Sequence, residues 1–334
     1  MSVYSGEPAY WSGSASQLGA FGVDIFFALS GLLITTLLLR EAQKEGSIRL
    51  RHFYIRRAFR ILPPLLVFLA VAVALRRIQP GWELLSSVFL FRNYLPESLG
   101  GHASAHLWSL SIEEHFYLLW PALLAFVAIR KGPRFVAYLA ITAGLWRIAD
   151  QANGFTARWL GDLQPHFRTD LRLDSLLWGC FAAFLLNDPK TREWLRQRVG
   201  GVWFGGLLSA AVACMVIYSY LAGLWLAMLL PILLVLTLLH PEWLVSRFLD
   251  LSPVRFVGRI SYSLYLWQQL FLVPGWIPGD SAMSRFPLNL AFTFGLATLS
   301  YFVVEKPCIS YGRGLSERLG RRFKPADRLG VLQA

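Results

Sequence analysis

HLWSLSIEEHFYLLWP, residues 106–121, is the stretch of this sequence that places charge inside an apolar run. With the apolar residues that follow, the segment 107–129 is long enough to cross a bilayer as one helix, which needs about 20 residues. An ionised side chain near the bilayer centre costs about 2.5 to 3.5 kcal/mol on insertion scales. Three consecutive titratable groups, Glu113, Glu114 and His115, therefore indicate a functional role or a paired site inside a helix bundle.

The helical repeat determines which of these side chains lie together. At about 100° per residue, Ser111, Glu114 and His115 share one face, and Glu113 lies beside Tyr117 on the next face. We expect both carboxylates to face the interior of a bundle rather than lipid. Two interpretations stay open. The pattern favours a catalytic group, but interior carboxylates also form polar clusters that pair neighbouring helices, often with arginine.

The composition indicates a polytopic membrane protein. Hydrophobic residues make up 55% of the chain, aromatic residues 15%, and the mean hydropathy is positive, which soluble chains of 334 residues rarely show. The net charge of +12 lies in short gaps between apolar runs, where it sets membrane orientation, so nucleic-acid binding is not expected. The three cysteines form no Cys-x-x-Cys pair and predict neither a disulfide framework nor a metal site.

The apolar runs predict an all-α, polytopic transmembrane helix bundle of about nine spans. A further run, 83–91, is too short to cross and is expected to be interfacial or re-entrant. The predicted spans are 18–39, 63–78, 105–129, 135–149, 171–187, 201–220, 222–239, 260–275 and 287–304.

The basic residues predict the orientation of these spans. If the nine alternate from an outside N-terminus, the inside segments contain 24 of the 32 Lys and Arg residues, as the positive-inside rule expects. The prediction is a multi-pass protein of the inner (plasma) membrane, with one membrane domain over 1–305 and a basic cytoplasmic tail over 306–334.

Six motifs in order resemble the membrane acyltransferase 3 family of integral-membrane O-acyltransferases. The most specific is WSLSIEEHFY, residues 108–117, in a run that continues to Pro121. The others are GVDIFFALSG at 22–31, FYIRRAFRILP at 53–63, RLDSLLWG at 172–179, SYSLYLW at 261–267 and EKP at 305–307. The resemblance implies transfer of an acyl group, expected to be acetyl, from acyl-CoA to a hydroxyl of a cell-surface or lipid-linked saccharide.

The resemblance also implies an additional first helix, on which an Arg shortly precedes a His that is the family's proposed base. Residues 1–17 do not match this helix. We therefore expect the chain either to be truncated upstream or to be a degenerate member without the base.

Candidate catalytic residues on the resemblance are Glu113, Glu114 and His115, with Glu113 favoured because the match is firmest there. Candidate acyl-CoA residues are Arg56, Arg57 and Arg60, since guanidinium groups bind phosphate in a bidentate manner. The alternative for the arginines is plain positive-inside anchoring.

A third set of polar residues is expected to bind the acceptor or to pair helices. A buried carboxylate of the outer-side group can orient a sugar hydroxyl, pair with Arg172 or take part in proton transfer. Aromatic residues at 262–267 fit an aromatic belt equally well. The set comprises Asp24, Ser111, Tyr117, Arg172, Asp174, Tyr262 and Glu305.

The expected partners are the lipid bilayer, a saccharide acceptor and acyl-CoA as co-substrate, with no permanently bound cofactor and no metal. The competing hypothesis is a non-enzymatic membrane protein, either a transporter of a lipid-linked sugar or an inactive partner subunit. Intramembrane charges also suit a transport path.

Overall fold

The computed structural model describes residues 14–156, 167–217, 220–272 and 285–322, and within these ranges every regular element is helical. The predicted all-α class is confirmed. The helices are α1 Ser14–Glu45, α2 Leu50–Ala74, α3 Trp82–Val88, α4 Leu107–Leu123, α5 Pro133–Asn153, α6 Leu173–Asn187, α7 Pro189–Arg198, α8 Gly201–Ile217, α9 Tyr220–Leu239, α10 Leu244–Leu249, α11 Ser252–Arg259, α12 Ser261–Trp267, α13 Gln269–Leu272, α14 Leu288–Ser300 and α15 Lys306–Arg322. Short π-helical turns continue α4 through Leu124–Ala128 and join α14 to α15 through Tyr301–Glu305.

Within the described part of the chain, five helical stretches are long and apolar enough to cross a membrane. They are Gly19–Glu45, Leu50–Ala74, Leu107–Lys131, Leu221–Leu239 and Leu288–Leu319. A sixth crossing is formed if α7 and α8, which meet at 91°, are counted as one broken span.

The remaining predicted spans are mainly helical over their described residues, with turns at 171–172, 260 and 268, but their helices are shorter or more polar. α6 has 15 residues, which is about 22 Å of helix against a hydrocarbon core of about 30 Å. α5 is longer but contains Arg147 and Asp150, which lower its hydropathy. α3 has seven residues and cannot cross, as expected for 83–91.

The described chain divides into two compact units. The first combines Met1–Ile48, Leu90–Gly100 and Leu107–Leu251. The second combines Arg49–Phe89, Gly101–His106 and Ser252–Ala334.

In the first unit, α1 and α6 pack with their backbones in contact. A Cβ atom added at Gly31 would lie 2.0 Å from the carbonyl oxygen of Leu176, and one at Gly179 would lie 2.3 Å from that of Ala28. Only glycine permits so close an approach, and small residues are the usual means of helix association in membranes. α9 packs against both helices through a cluster formed by Leu32, Ala182, Ala183 and Val235.

Contacts within the first unit show the relative directions of its helices. α1 runs parallel to α4, because residue numbers increase along both helices in their three contacts. These contacts are Phe27 with Trp108, Ser30 with Glu113 and Thr35 with Trp120. α5 runs antiparallel to α6. Arg147 contacts Asp174, whereas Asp150, further along α5, contacts Arg168 before α6 begins.

In the second unit, α2 and α12 run parallel and α14 runs against them. The hydroxyl of Tyr262 donates to the carbonyl of Ile61 at 2.9 Å, and Trp267 meets Phe68 edge-on further along both helices. Ser263 on α12 donates to Glu305 beyond α14 at 2.8 Å, whereas Phe271 stacks near Phe292.

One element boundary differs from the sequence-based expectation. α2 begins at Leu50 rather than 63, so Pro63 and Pro64 lie inside a continuous helix. The first part of the predicted basic tail forms helix α15, whose Gly312 lies against Phe59 of α2, since an added Cβ would be 2.5 Å from that side chain.

Candidate active site

Glu113 is buried in the first unit with two hydroxyl donors on its carboxylate. Its exposed fraction is 3%. The hydroxyl of Ser30 on α1 donates to Glu113 Oε1 at 2.6 Å, and the hydroxyl of Tyr117, one turn along α4, donates to the same oxygen. The parallel packing of α1 against α4 creates this arrangement. Tyr117, a predicted acceptor residue, therefore contacts the predicted catalytic carboxylate.

The neighbouring face of α4 is less uniformly buried than the helical repeat suggested. Ser111 is fully buried, and its hydroxyl donates to the carbonyl of Leu107 in the same helix at 3.0 Å. Glu114 and His115 are half-buried, and Leu118 is exposed. This face turns outward within two turns, so Glu113 is the more enclosed of the two carboxylates.

His115 belongs to a separate polar chain. Its Nδ1 lies 2.8 Å from the hydroxyl oxygen of Thr169, which also accepts from the side-chain amide of Asn93 at 3.0 Å. The imidazole ring stacks on Tyr94 with centroids 6.0 Å apart. A histidine held in this way is oriented for proton transfer.

Asp24 and Arg172 form an ion pair at 2.6 Å between α1 and the start of α6. The guanidinium group of Arg172 also lies over the ring of Phe27, 5.5 Å from its centroid. Asp24 precedes Ser30 by six residues, about 9 Å along α1. One helix thus carries both the ion pair and the Glu113 contact.

Asp174 does not pair with Arg172, its neighbour in the sequence motif. It pairs with Arg147 of α5 at 3.0 Å, and both side chains are buried. Sequence reasoning missed Arg147, although an arginine inside the predicted span 135–149 was a usable signal. It also missed the buried Arg168, whose guanidinium contacts Asp150 and Asp170.

Several buried polar atoms at the start of α6 have no hydrogen-bond partner among the described residues. They are Arg172 Nε, Asp174 Oδ1, Ser175 Oγ and Trp178 Nε1. A buried polar group without a partner costs about 1 to 3 kcal/mol. The start of α6 therefore carries buried polar atoms whose hydrogen-bonding capacity the described residues do not satisfy.

The remaining predicted residues lie in the second unit. Tyr262 bonds to the backbone of α2, which gives it a role in holding α12 in place. Glu305 is 1% exposed and accepts the hydroxyl of Ser263. Of the arginine triplet, Arg60 lines a cleft of about 630 Å³ that also includes Glu305. Arg56 is exposed and Arg57 is half-buried.

The chain belongs to the family described as the acyltransferase domain, which matches residues 2–305. Peptidoglycan O-acetyltransferase OatA of Listeria monocytogenes serovar 1/2a is 29% identical over 344 residues, covering 90% of this chain and 54% of that protein. O-acetyltransferase OatA of Staphylococcus aureus strain NCTC 8325 is 28% identical over 327 residues, covering 86% and 52%.

A third relative is SACOL0978 of Staphylococcus aureus strain COL, a provisionally assigned O-acetyltransferase. It is 31% identical over 322 residues, covering 86% of this chain and 52% of the relative. The chain thus spans about half the length of the curated relatives it matches. No solved structure matches it. The resemblance inferred from the six motifs is confirmed.

Proposed function

We propose that this chain is a membrane O-acyltransferase that transfers an acetyl group from acetyl-CoA to a hydroxyl of a cell-envelope saccharide. The observation that carries the proposal is the buried carboxylate of Glu113, held by Ser30 and Tyr117 in the motif most specific to the family. The acetyl group and the saccharide acceptor are supported by the relatives, one of which is named a peptidoglycan O-acetyltransferase.

In the proposed reaction, the acceptor hydroxyl attacks the thioester carbonyl of acetyl-CoA. A base takes the hydroxyl proton, the new C–O bond forms, the C–S bond breaks, and the thiolate of coenzyme A leaves and is protonated. Glu113 and Tyr117 are the first candidates for transferring the proton of the acceptor hydroxyl. His115, oriented by Thr169, is the second candidate for proton transfer.

The acceptor site is proposed at the start of α6, on the part of α1 that precedes Ser30. Asp24 and Arg172 supply charged hydrogen-bonding groups there, and the partnerless polar atoms of α6 would be satisfied by sugar hydroxyls. On α1, Phe27 lies between Asp24 of this ion pair and Ser30, the partner of Glu113. Its ring meets that of Trp108 edge-on, with centroids 6.3 Å apart. A saccharide bound at the start of α6 would therefore be within one or two helical turns of Glu113.

The proposed topology has nine spans in the inner membrane and places the C-terminus in the cytoplasm. Helix directions within each unit support the alternation. α1, α4 and α6 are predicted to run inward and α5 outward, and the contacts make α4 parallel to α1 and α5 antiparallel to α6, as this alternation requires. The same holds for α2 and α12 against α14. Arg60 and Lys306 then lie on the cytoplasmic side, where acyl-CoA is available.

A transporter of a lipid-linked sugar is the second candidate function. The observation that favours it is the buried Arg147–Asp174 pair, since intramembrane ion pairs often mark a transport path. A transporter would move its sugar without forming an ester, so the two candidates predict different chemical products.

The test is the appearance of base-labile acetate on envelope saccharide. Cells without O-acetylation of their own would express the chain, and their purified saccharide would be treated with mild alkali. The proposal expects acetate release above that of cells with an empty vector. Saccharide without ester, from cells whose membranes contain the folded protein, would contradict it.

A further inference from the structure

The cleft in the second unit is lined by one face of α11. Ser252, Arg255 and Arg259 are spaced three and four residues apart, so they lie on the same side of this helix. α2 contributes Arg60, and the path from α14 to α15 contributes the remaining side. The lining residues are Arg60, Ser252, Arg255, Gly258, Arg259, Tyr301, Glu305 and Ile309.

The cleft is electropositive and partly open. Three guanidinium groups outnumber one carboxylate, and Arg60, Arg255 and Arg259 are all exposed. Glu305, in contrast, is buried and held by Ser263. Arginine is the side chain best suited to bidentate binding of phosphate. The cleft thus combines three phosphate-binding guanidinium groups with one buried carboxylate, that of Glu305.

The volume of the cleft suits a nucleotide. Small-molecule sites usually measure about 300 to 1,000 Å³, and this cleft measures about 630 Å³. Sequence patterns did not single out Arg255 or Arg259, which had been interpreted as charges that set membrane orientation. The structure brings them to the same cleft as Arg60.

We infer that Arg255 and Arg259, together with Arg60, bind the phosphate groups of the acyl donor's nucleotide head. The inference rests on the proposed function, because it identifies where that function's acyl-CoA is held. α11 is then a helix that binds the acyl donor, and the cleft is a site that binds several phosphate groups. The phosphate of an anionic lipid head group has the same chemistry, so the test must separate the two sources.

The test measures the affinity of the full chain for free coenzyme A by calorimetry, in nanodiscs of zwitterionic lipid. Arg255→Ala and Arg259→Ala should each weaken binding about tenfold, the worth of one charge-assisted hydrogen bond. Arg255→Lys should lose less, because it keeps the charge. Arg313→Ala is the matched control, an exposed arginine on α15 of the same unit outside the cleft lining, and it should bind like the wild type.

Unchanged affinity in both Arg255→Ala and Arg259→Ala would overturn the inference. The same variants in nanodiscs of anionic lipid test the alternative source of phosphate. Variants that bind coenzyme A normally but no longer retain anionic lipid would show that the cleft binds lipid head groups instead. Binding needs no acceptor, so the proposed function is tested separately. Coenzyme A bound through these arginines without any acetyl transfer would contradict the function alone, and normal transfer by both variants at an unchanged KM would contradict the inference alone.

Discussion

Glu113 accepts a 2.6 Å hydrogen bond from Ser30, a residue 83 positions earlier in the chain. The bond joins α1 to α4, and the hydroxyl of Tyr117 completes the environment of the same carboxylate oxygen. Trp120 Nε1 donates to Thr35 Oγ1 at 2.8 Å further along the same two helices. Polar contacts therefore fix the register of α1 against α4, and that register places the carboxylate.

Replacing Ser30 with Ala should weaken both the position of Glu113 and the stability of the first unit. The buried carboxylate would lose the Ser30 hydroxyl as a donor, which costs about 1 to 3 kcal/mol. We expect a lower midpoint in thermal unfolding of the detergent-solubilised protein and a reduced rate of acetyl transfer. Ser310→Ala is the control, because Ser310 is exposed and its hydroxyl donates to the carbonyl of Lys306 in its own helix. Equal behaviour of the two variants would contradict the assigned contact.

Replacing Gly31 with Ala should force α1 and α6 apart. The added methyl group would meet the backbone oxygen of Leu176, which cannot rotate away as a side chain can. Overpacking typically costs about 1 to 3 kcal/mol, and contact with a backbone atom places this site at the upper end. Gly205→Ala in α8 is the matched control, since nothing lies within 4 Å of its added Cβ.

Thermal unfolding of the two glycine variants gives the comparison. Gly205→Ala should be neutral or slightly stabilising, because alanine is the better helix former by about 1 kcal/mol. A Gly31→Ala protein as stable as Gly205→Ala would show that α1 and α6 are not in backbone contact.

Replacing Arg147 with Leu should be strongly destabilising, because it leaves Asp174 buried without its counter-charge. Breaking one partner of a buried pair costs about 3 to 5 kcal/mol, whereas replacing both partners with apolar residues is often close to neutral. The double variant Arg147→Leu with Asp174→Leu should therefore recover much of the lost stability. Membrane yield and unfolding temperature of the three proteins measure this, and a double variant worse than the single one would argue against the pair.

Reporter fusions test the proposed topology. A reporter after Gly46 and one after Ala334 should both report the cytoplasm, because Gly46 lies within a basic segment of the predicted inside and Ala334 follows another. A reporter after Gly161 should report the outer side. Activity of the Ala334 fusion on the outer side would refute the nine-span arrangement.

The helices themselves were predictable from the sequence. Apolar runs of the right length identified α1, α4, α9 and α14, and the family motif singled out Glu113. The beginning of α2 was missed because Arg51, Arg56, Arg57 and Arg60 made its first half look like a loop. Arginine is nevertheless a good helix former whose long stem packs along apolar surface, so the helix starts at Leu50.

The partners of the site residues could not be predicted in the same way. Helical periodicity relates residues three or four apart, and it carries no information on a contact such as Ser30 with Glu113. Asp174 shows the same limit, since it lies two residues from Arg172 but bonds to Arg147 on another helix. Long-range pairing depends on how the helices pack, which is a tertiary property.

The most direct test of the account is acetyl transfer by Glu113→Gln. Glutamine keeps the volume and a hydrogen-bonding oxygen for Ser30 but removes the charge and the proton-accepting carboxylate. Turnover, normalised to folded protein in membranes, should fall by roughly 10² to 10⁴, the usual contribution of a general acid or base. Glu114→Gln is the matched control on the adjacent, half-buried residue and should lose less. Near-normal turnover by Glu113→Gln would contradict the account, because Glu113 would then only join α1 to α4.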